Sequence, residues 1–152
     1  MSEVGLIFYE YREEIGRRWV VALRDLVSED YFEILDSPLG QRFYRKVIDD
    51  FLDYSDAEDF KVQPTLRRIC DEMATEAGRR SQLGFELVDV VAATQALRLS
   101  FWDALLDASV SGKLPPVGVM IQEMKFVDDF FDRLMRSQVT GFLATAEVSE
   151  AT

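Results

Sequence analysis

The stretch from Gly5 to Val27, GLIFYEYREEIGRRWVVALRDLV, decides the fold class. Phe8, Tyr11, Ile15, Trp19, Ala22 and Leu26 recur in it at intervals of three or four residues, so one aromatic-rich stripe runs down one face of a helix. No segment elsewhere alternates with the two-residue period of a strand. Ser28 to Asp36 reads equally as a short helix or a loop. Ser37-Pro38 then opens a second long helix, serine suiting the N-cap and proline the first helical position. Phe43, Val47, Ile48, Phe51 and Leu52 form its apolar face through Tyr54, and Ser55 to Lys61 reads as an acidic linker.

A third helix is expected from Pro64, with Leu66, Ile69, Cys70, Met73 and Ala77 along one side, stopping near Gly84. A fourth runs from Phe85 to Ser109 on Leu87, Val91, Thr94, Leu97, Phe101 and Leu105. Gly112-Lys-Leu-Pro-Pro-Val-Gly118 is the clearest break, too short to separate domains. The last helix carries Met120, Met124, Val127, Phe131 and Leu134 and extends to Phe142. The expectation is a single all-α domain over residues 1–146, a bundle of five long helices, followed by a polar tail over 147–152.

Composition narrows the chemistry. The chain has 152 residues, a net charge of −11, one cysteine and no histidine. Without imidazole there is no histidine base for a catalytic triad, no zinc site of the usual mixed kind and no histidine-ligated haem. Cys70 alone allows no internal disulfide, and its place on an apolar helix side reads as an inert core residue. The acidic balance disfavours nucleic acid and anionic lipid as partners, because phosphate neutralisation supplies most of such affinity. No apolar run approaches a membrane span, and the N-terminus does not read as a signal peptide, so a cytoplasmic protein without a membrane partner is expected.

Asp49-Asp50-Phe51-Leu52-Asp53 and Asp128-Asp129-Phe130-Phe131-Asp132 are both DDxxD. The pattern resembles that of prenyl-diphosphate and terpene synthases, where carboxylates on facing helices hold magnesium and a diphosphate. The helical phase argues otherwise: Val47, Ile48, Phe51 and Leu52 take the buried side and leave Asp49, Asp50 and Asp53 towards water. Tyr54 to Phe60 lacks the basic residues that should follow the first motif. The doublets Arg17-Arg18, Arg67-Arg68 and Arg79-Arg80 read as helix-surface charges, each supplying one partner for a nearby acid and one solvated group. The eleven Phe, five Tyr and two Trp sit mostly at core spacing, although such residues also line apolar ligand cavities.

The final helix invites a partner. Met120, Met124, Val127, Phe131 and Leu134 alternate by four and three, the spacing of a two-helix seam, while Phe126 and Phe130 widen the apolar arc. Either this arc packs wholly inside the domain or part of it meets a second copy through a two-fold interface.

Arg67 to Leu106 reads RRICDEMATEAGRRSQLGFELVDVVAATQALRLSFWDALL. A helix ending in Arg79-Arg80, a turn with Gly84-Phe85 and an apolar helix with Leu97-Arg98 followed by Phe101-Trp102 make up the pattern. With Ile15-Gly-Arg-Arg-Trp19 and Ser37-Pro-Leu-Gly40, it resembles the N-terminal domain of the RsbR and RsbRD group of RsbT co-antagonist proteins, over Ile15 to Leu134. The resemblance implies a haem-free, globin-related helical domain that pairs as a dimer and forms the input end of a bacterial stress-signalling protein. In that family a STAS domain follows and carries the phosphorylated residues. The 152 residues leave no room for one, so no phosphorylation site is carried over.

The expected function is thus a non-catalytic sensor or regulatory domain with no cofactor and no metal. It would act as a homodimer and through a kinase, STAS or response-regulator partner, with an interface drawn partly from the first or last helix. A module binding an apolar small molecule is one alternative, and a magnesium-dependent diphosphate enzyme using both aspartate triplets is the other.

Overall fold

Seven helices and no strands make up residues 2–151, which a computed structural model of the chain describes. They are α1 (Glu3–Glu10), α2 (Arg12–Leu26), α3 (Glu29–Leu35), α4 (Pro38–Asp56), α5 (Asp59–Gln82), α6 (Leu87–Val110) and α7 (Val117–Ala151). The expected five become seven for two local reasons. The first helix breaks at Tyr11, whose backbone leaves helical geometry at φ −95° and ψ 12°. Arg12 stabilises the break by donating from Nη1 to the Tyr9 carbonyl at 2.7 Å, an acceptor freed at the helix end. The undecided segment after it forms α3, with the Ser28 hydroxyl accepting from the Tyr31 N–H.

Other boundaries moved as well. Ser37 and Pro38 start α4 as expected, the Ser37 hydroxyl accepting from the Leu39 N–H. The acidic linker shrinks to Ala57 and Glu58, because α5 begins at Asp59 and carries Pro64 inside its second turn. Gly84 caps α5 at φ +86°: Phe85 N–H reaches the Arg80 carbonyl and Gly84 N–H the Ser81 carbonyl. That paired arrangement is a Schellman motif and suits glycine, which alone takes a left-handed backbone without strain. The last helix runs past Phe142 to Ala151, taking most of the expected polar tail into the helix, while Thr152 lies outside the described residues.

Five phenylalanines from four helices form the centre. Phe8, Phe51, Phe101, Phe130 and Phe131 are all fully buried. Their rings meet at centroid separations between 4.6 Å (Phe8 to Phe101) and 6.1 Å (Phe51 to Phe101). Such pairs add roughly 0.5–1.5 kcal/mol each beyond their area burial. The aromatic content is therefore core, as its spacing indicated. Around this centre α7 lies parallel to α5 and antiparallel to α6: Ala74 meets Gly141 and Gly78 meets Thr145, whereas Thr94 meets Gln138 and Arg98 meets Asp132. The α5–α7 approach is close enough that a Cβ on Gly141 would stand 2.1 Å from the Ala74 carbonyl oxygen.

Candidate functional site

Two places on this framework hold side chains that folding leaves incompletely used. One is a groove between α4 and α5, and the other is the outer side of α6.

The groove encloses about 410 Å³. Leu39 and Phe43 of α4 and Met73 of α5 give it an apolar floor, while Arg42, Lys46 and Glu76 stand at its rim. Ion pairs tie the two helices beside it. Lys46 pairs with Asp50 at 3.1 Å and also with Glu72, and Arg68 reaches Asp50 at 3.5 Å, Asp53 at 3.6 Å and Glu72 at 3.4 Å. Burial lifts the Asp50 carboxyl above its ordinary range, against the pull of Lys46 and Arg68. The hydrogen bond from Lys46 holds Glu72 below its own range.

Beneath the floor lies a second, small chamber that shares Phe43, Met73, Glu76 and Arg80 with the groove. Arg80 is 6% exposed; it pairs with Glu76 at 3.2 Å and lines the chamber together with Tyr31. Burial raises the Tyr31 phenol, with Arg80 acting in the opposite direction. Gln138 of α7 closes the chamber: it is 3% exposed and donates from Nε2 to the Thr94 hydroxyl at 2.8 Å. Its Oε1 has no hydrogen-bond partner among the described residues.

Helix α6 explains the second place. Val88, Ala92, Gln95, Leu99, Trp102, Leu106 and Val110 fall within an arc of about 80° at the helical repeat. No residue of that arc is charged. The opposite side of α6, with Ala93, Ala96, Leu97, Phe101, Ala104 and Ala108, is buried. On the outer arc Leu99 is 50%, Leu106 64% and Val110 91% exposed. The stripe is about 33 Å long.

The seam expected to meet a partner lies elsewhere. Val127, Phe131 and Leu134 are fully buried in this chain's own core, Met120 is buried as well, and Met124 is half-buried against it. Four of the five are thus covered within this chain, and Met124 keeps part of its surface exposed. The broad arc of α7 is intramolecular because α5 and α6 take it from two sides.

Residues of the family-like pattern mostly hold the frame. Trp19 is buried, donates from Nε1 to the Ala93 carbonyl at 2.8 Å and stacks on Phe43. Gly84 and Phe85 complete the α5 cap, and Phe85 packs on Tyr31. Leu97 is core, while Arg98 ties α6 to Asp132 of α7 at 3.0 Å. Trp102 is half-buried on the outer arc, Arg79 pairs with Glu76 at 2.9 Å, and Arg80 enters the chamber.

The aspartate triplets do not converge. No three carboxylate or cysteine side chains gather closely enough to hold a metal ion among the described residues. Asp129 pairs with Arg133 and Asp132 with Arg98, while Asp49 and Asp53 are exposed. Asp50 corrects the helical-phase reading: it is buried, and Lys46 and Arg68 stabilise its charge there. Two of the arginine doublets are more fully paired than expected: Arg17 and Arg18 both meet Glu14, and Arg79 and Arg80 both meet Glu76. Cys70 is half-buried rather than fully core.

Sequence reading missed the α6 arc and Gln138, yet each left a signal. Val88, Leu99 and Leu106 lie opposite the residues chosen as the buried face, making α6 apolar on both sides. Gln138 falls four residues after Leu134 and thus continues the α7 seam, where an amide is out of place. No helix among the described residues is long and apolar enough to cross a membrane. The chain matches no family model, no curated protein and no solved structure.

Proposed function

We propose that this chain is a non-catalytic regulatory domain of the haem-free, globin-like kind that its resemblance to RsbT co-antagonist proteins implies. It pairs with a second copy through the outer arc of α6 and acts in the cytoplasm by contact with a signalling protein of the kinase, STAS or response-regulator class. The observation that carries the reading is the uncharged stripe from Val88 to Val110, on which Val88, Leu99, Leu106 and Val110 stay exposed while the opposite side of α6 is buried. Extended apolar patches on a protein surface mark places of association. A second copy laid antiparallel across the stripe meets apolar groups with apolar groups along its length, the self-complementarity a two-fold axis requires. Arg98, Asp103 and Asp107 border the stripe and fit the polar rim of such an interface. Stable interfaces bury about 800 Å² per partner, so the neighbouring helices contribute beside α6.

Chemical cross-linking with mass spectrometry tests the geometry. A single cysteine at Leu99, midway between Val88 and Val110 and so beside the two-fold axis of an antiparallel pair, should form an intermolecular disulfide readily under mild oxidation in a Cys70→Ser background. A cysteine at Arg67, exposed on α5, should not. Cross-linking at Arg67 alone places the interface elsewhere and ends the reading.

A further inference from the structure

The chamber beneath the α4–α5 groove holds an unmet hydrogen-bonding demand, and its nature selects a ligand. Gln138 Oε1 is an acceptor cut off from water with no donor to satisfy it. Leaving such a group unpaired costs about 1–3 kcal/mol. Arg80, on the same chamber, carries five N–H donors, more than its pairing with the Glu76 carboxylate takes up. The chamber itself encloses about 10 Å³, room for about one water-sized group. A single group that donates to Gln138 and accepts from Arg80 fits both demands at once.

We propose that the α4–α5 groove is a binding site for a small neutral amphipathic molecule, with an apolar body and a hydroxyl head. The hydroxyl enters the chamber, donates its proton to Gln138 Oε1 and accepts from Arg80. The apolar body lies on Leu39, Phe43 and Met73, in a volume at the lower end of those that hold small ligands. Phe43 and Met73 line both spaces, so the head passes between them.

Charge on the head is selected against from both sides. A carboxylate would accept from Arg80 but bring no proton to Gln138, and it would crowd Glu76. An ammonium would reach Gln138 but meet the Arg80 guanidinium. A plain hydrocarbon would leave both groups unsatisfied. The site uses α4, α5 and α7 side chains and none of the α6 outer arc, so it goes beyond the pairing proposed above and stands or falls separately from it.

The probe is 4-phenylbutanol, with 4-phenylbutyrate and 4-phenylbutylamine as charged counterparts of the same body. Each is titrated into the isotope-labelled full chain and followed by two-dimensional NMR. The alcohol should give saturable shifts centred on the Gln138 side-chain amide, the Arg80 Nε–H and the Met73 methyl. Both charged analogues should bind at least about tenfold more weakly, the equivalent of about 1.4 kcal/mol. Gln138→Met should lose the alcohol's binding by a similar factor while keeping the wild-type far-ultraviolet circular dichroism. Absence of saturable shifts, shifts centred away from the groove, equal binding by the acid, or undiminished binding by Gln138→Met each overturns the proposal. A monomeric wild-type chain that binds the alcohol as described would leave this site standing while removing the α6 pairing.

Discussion

Helices α6 and α7 both carry more apolar surface than one packing face needs, and the fold treats them differently. On α7 the wide arc is consumed: α5 lies along one side and α6 along the other, and Val127, Phe130, Phe131 and Leu134 disappear into the centre. On α6 only the inner side is consumed, by α2, α1 and α7, and the stripe through Leu99 and Leu106 stays uncovered. The difference comes from neighbours rather than from hydrophobicity. Near-backbone contact at Ala74, Gly78 and Gly141 draws α5 onto α7. Nothing comparable closes over the outside of α6. The wide apolar arc is thus buried on α7, and the outer stripe of α6 keeps Leu99 and Leu106 exposed.

Truncation on the consumed side should give the largest loss. Phe131→Ala removes a ring packed edge-on against Phe101 and Phe130 in the centre, and it should cost about 3–5 kcal/mol in urea unfolding. The corresponding change on the uncovered side, Leu106→Ala, should leave the dilute monomer within about 0.5 kcal/mol of wild type. Equal losses at the two positions would erase the distinction between the helices.

Next in size is the close approach that seals α7. Gly141→Ala sets a methyl against the Ala74 carbonyl and forces the helices apart, with an expected loss of about 2–3 kcal/mol in the same measurement. Unchanged stability would mean that α5 and α7 are not held at that distance. Smaller again is Gly84→Ala in the turn that leads into α6, where φ is +86°. A Cβ there meets no neighbour, so only backbone strain is charged, about 1 kcal/mol. Thermal melting would register it as a drop of a few degrees, whereas a loss as large as that of Gly141→Ala would point to a packing role for the turn.

Much of the helical architecture was legible because three- and four-residue spacing, Ser37-Pro38 and Gly84 act locally. The break at Tyr11 was not, since it depends on one arginine side chain turning back to a carbonyl. The early start of α5 is hidden because Pro64 reads as the first residue of a helix, whereas the fold carries it in the second turn at the cost of one i→i−4 hydrogen bond. The fate of the two apolar helices was illegible for a deeper reason. A residue's spacing says which face it shares, and only the placement of α5 through Gly78 and Gly141 says which face is covered. Asp50 shows the same limit: its helical phase put it towards water, but Lys46 and Arg68 bring their charges to it and allow its burial. The groove rests on contacts across α3, α4, α5 and α7, so Arg80 and Gln138 gave no shared local pattern.

The smallest expected effect on folding accompanies the largest on association. Sedimentation equilibrium of the wild-type chain and of Leu106→Glu, both at high micromolar concentration, tests the central claim directly. Wild type should sediment as a dimer and Leu106→Glu as a monomer, with the same far-ultraviolet circular dichroism. A wild-type monomer, or a dimer that survives Leu106→Glu unchanged, would contradict it.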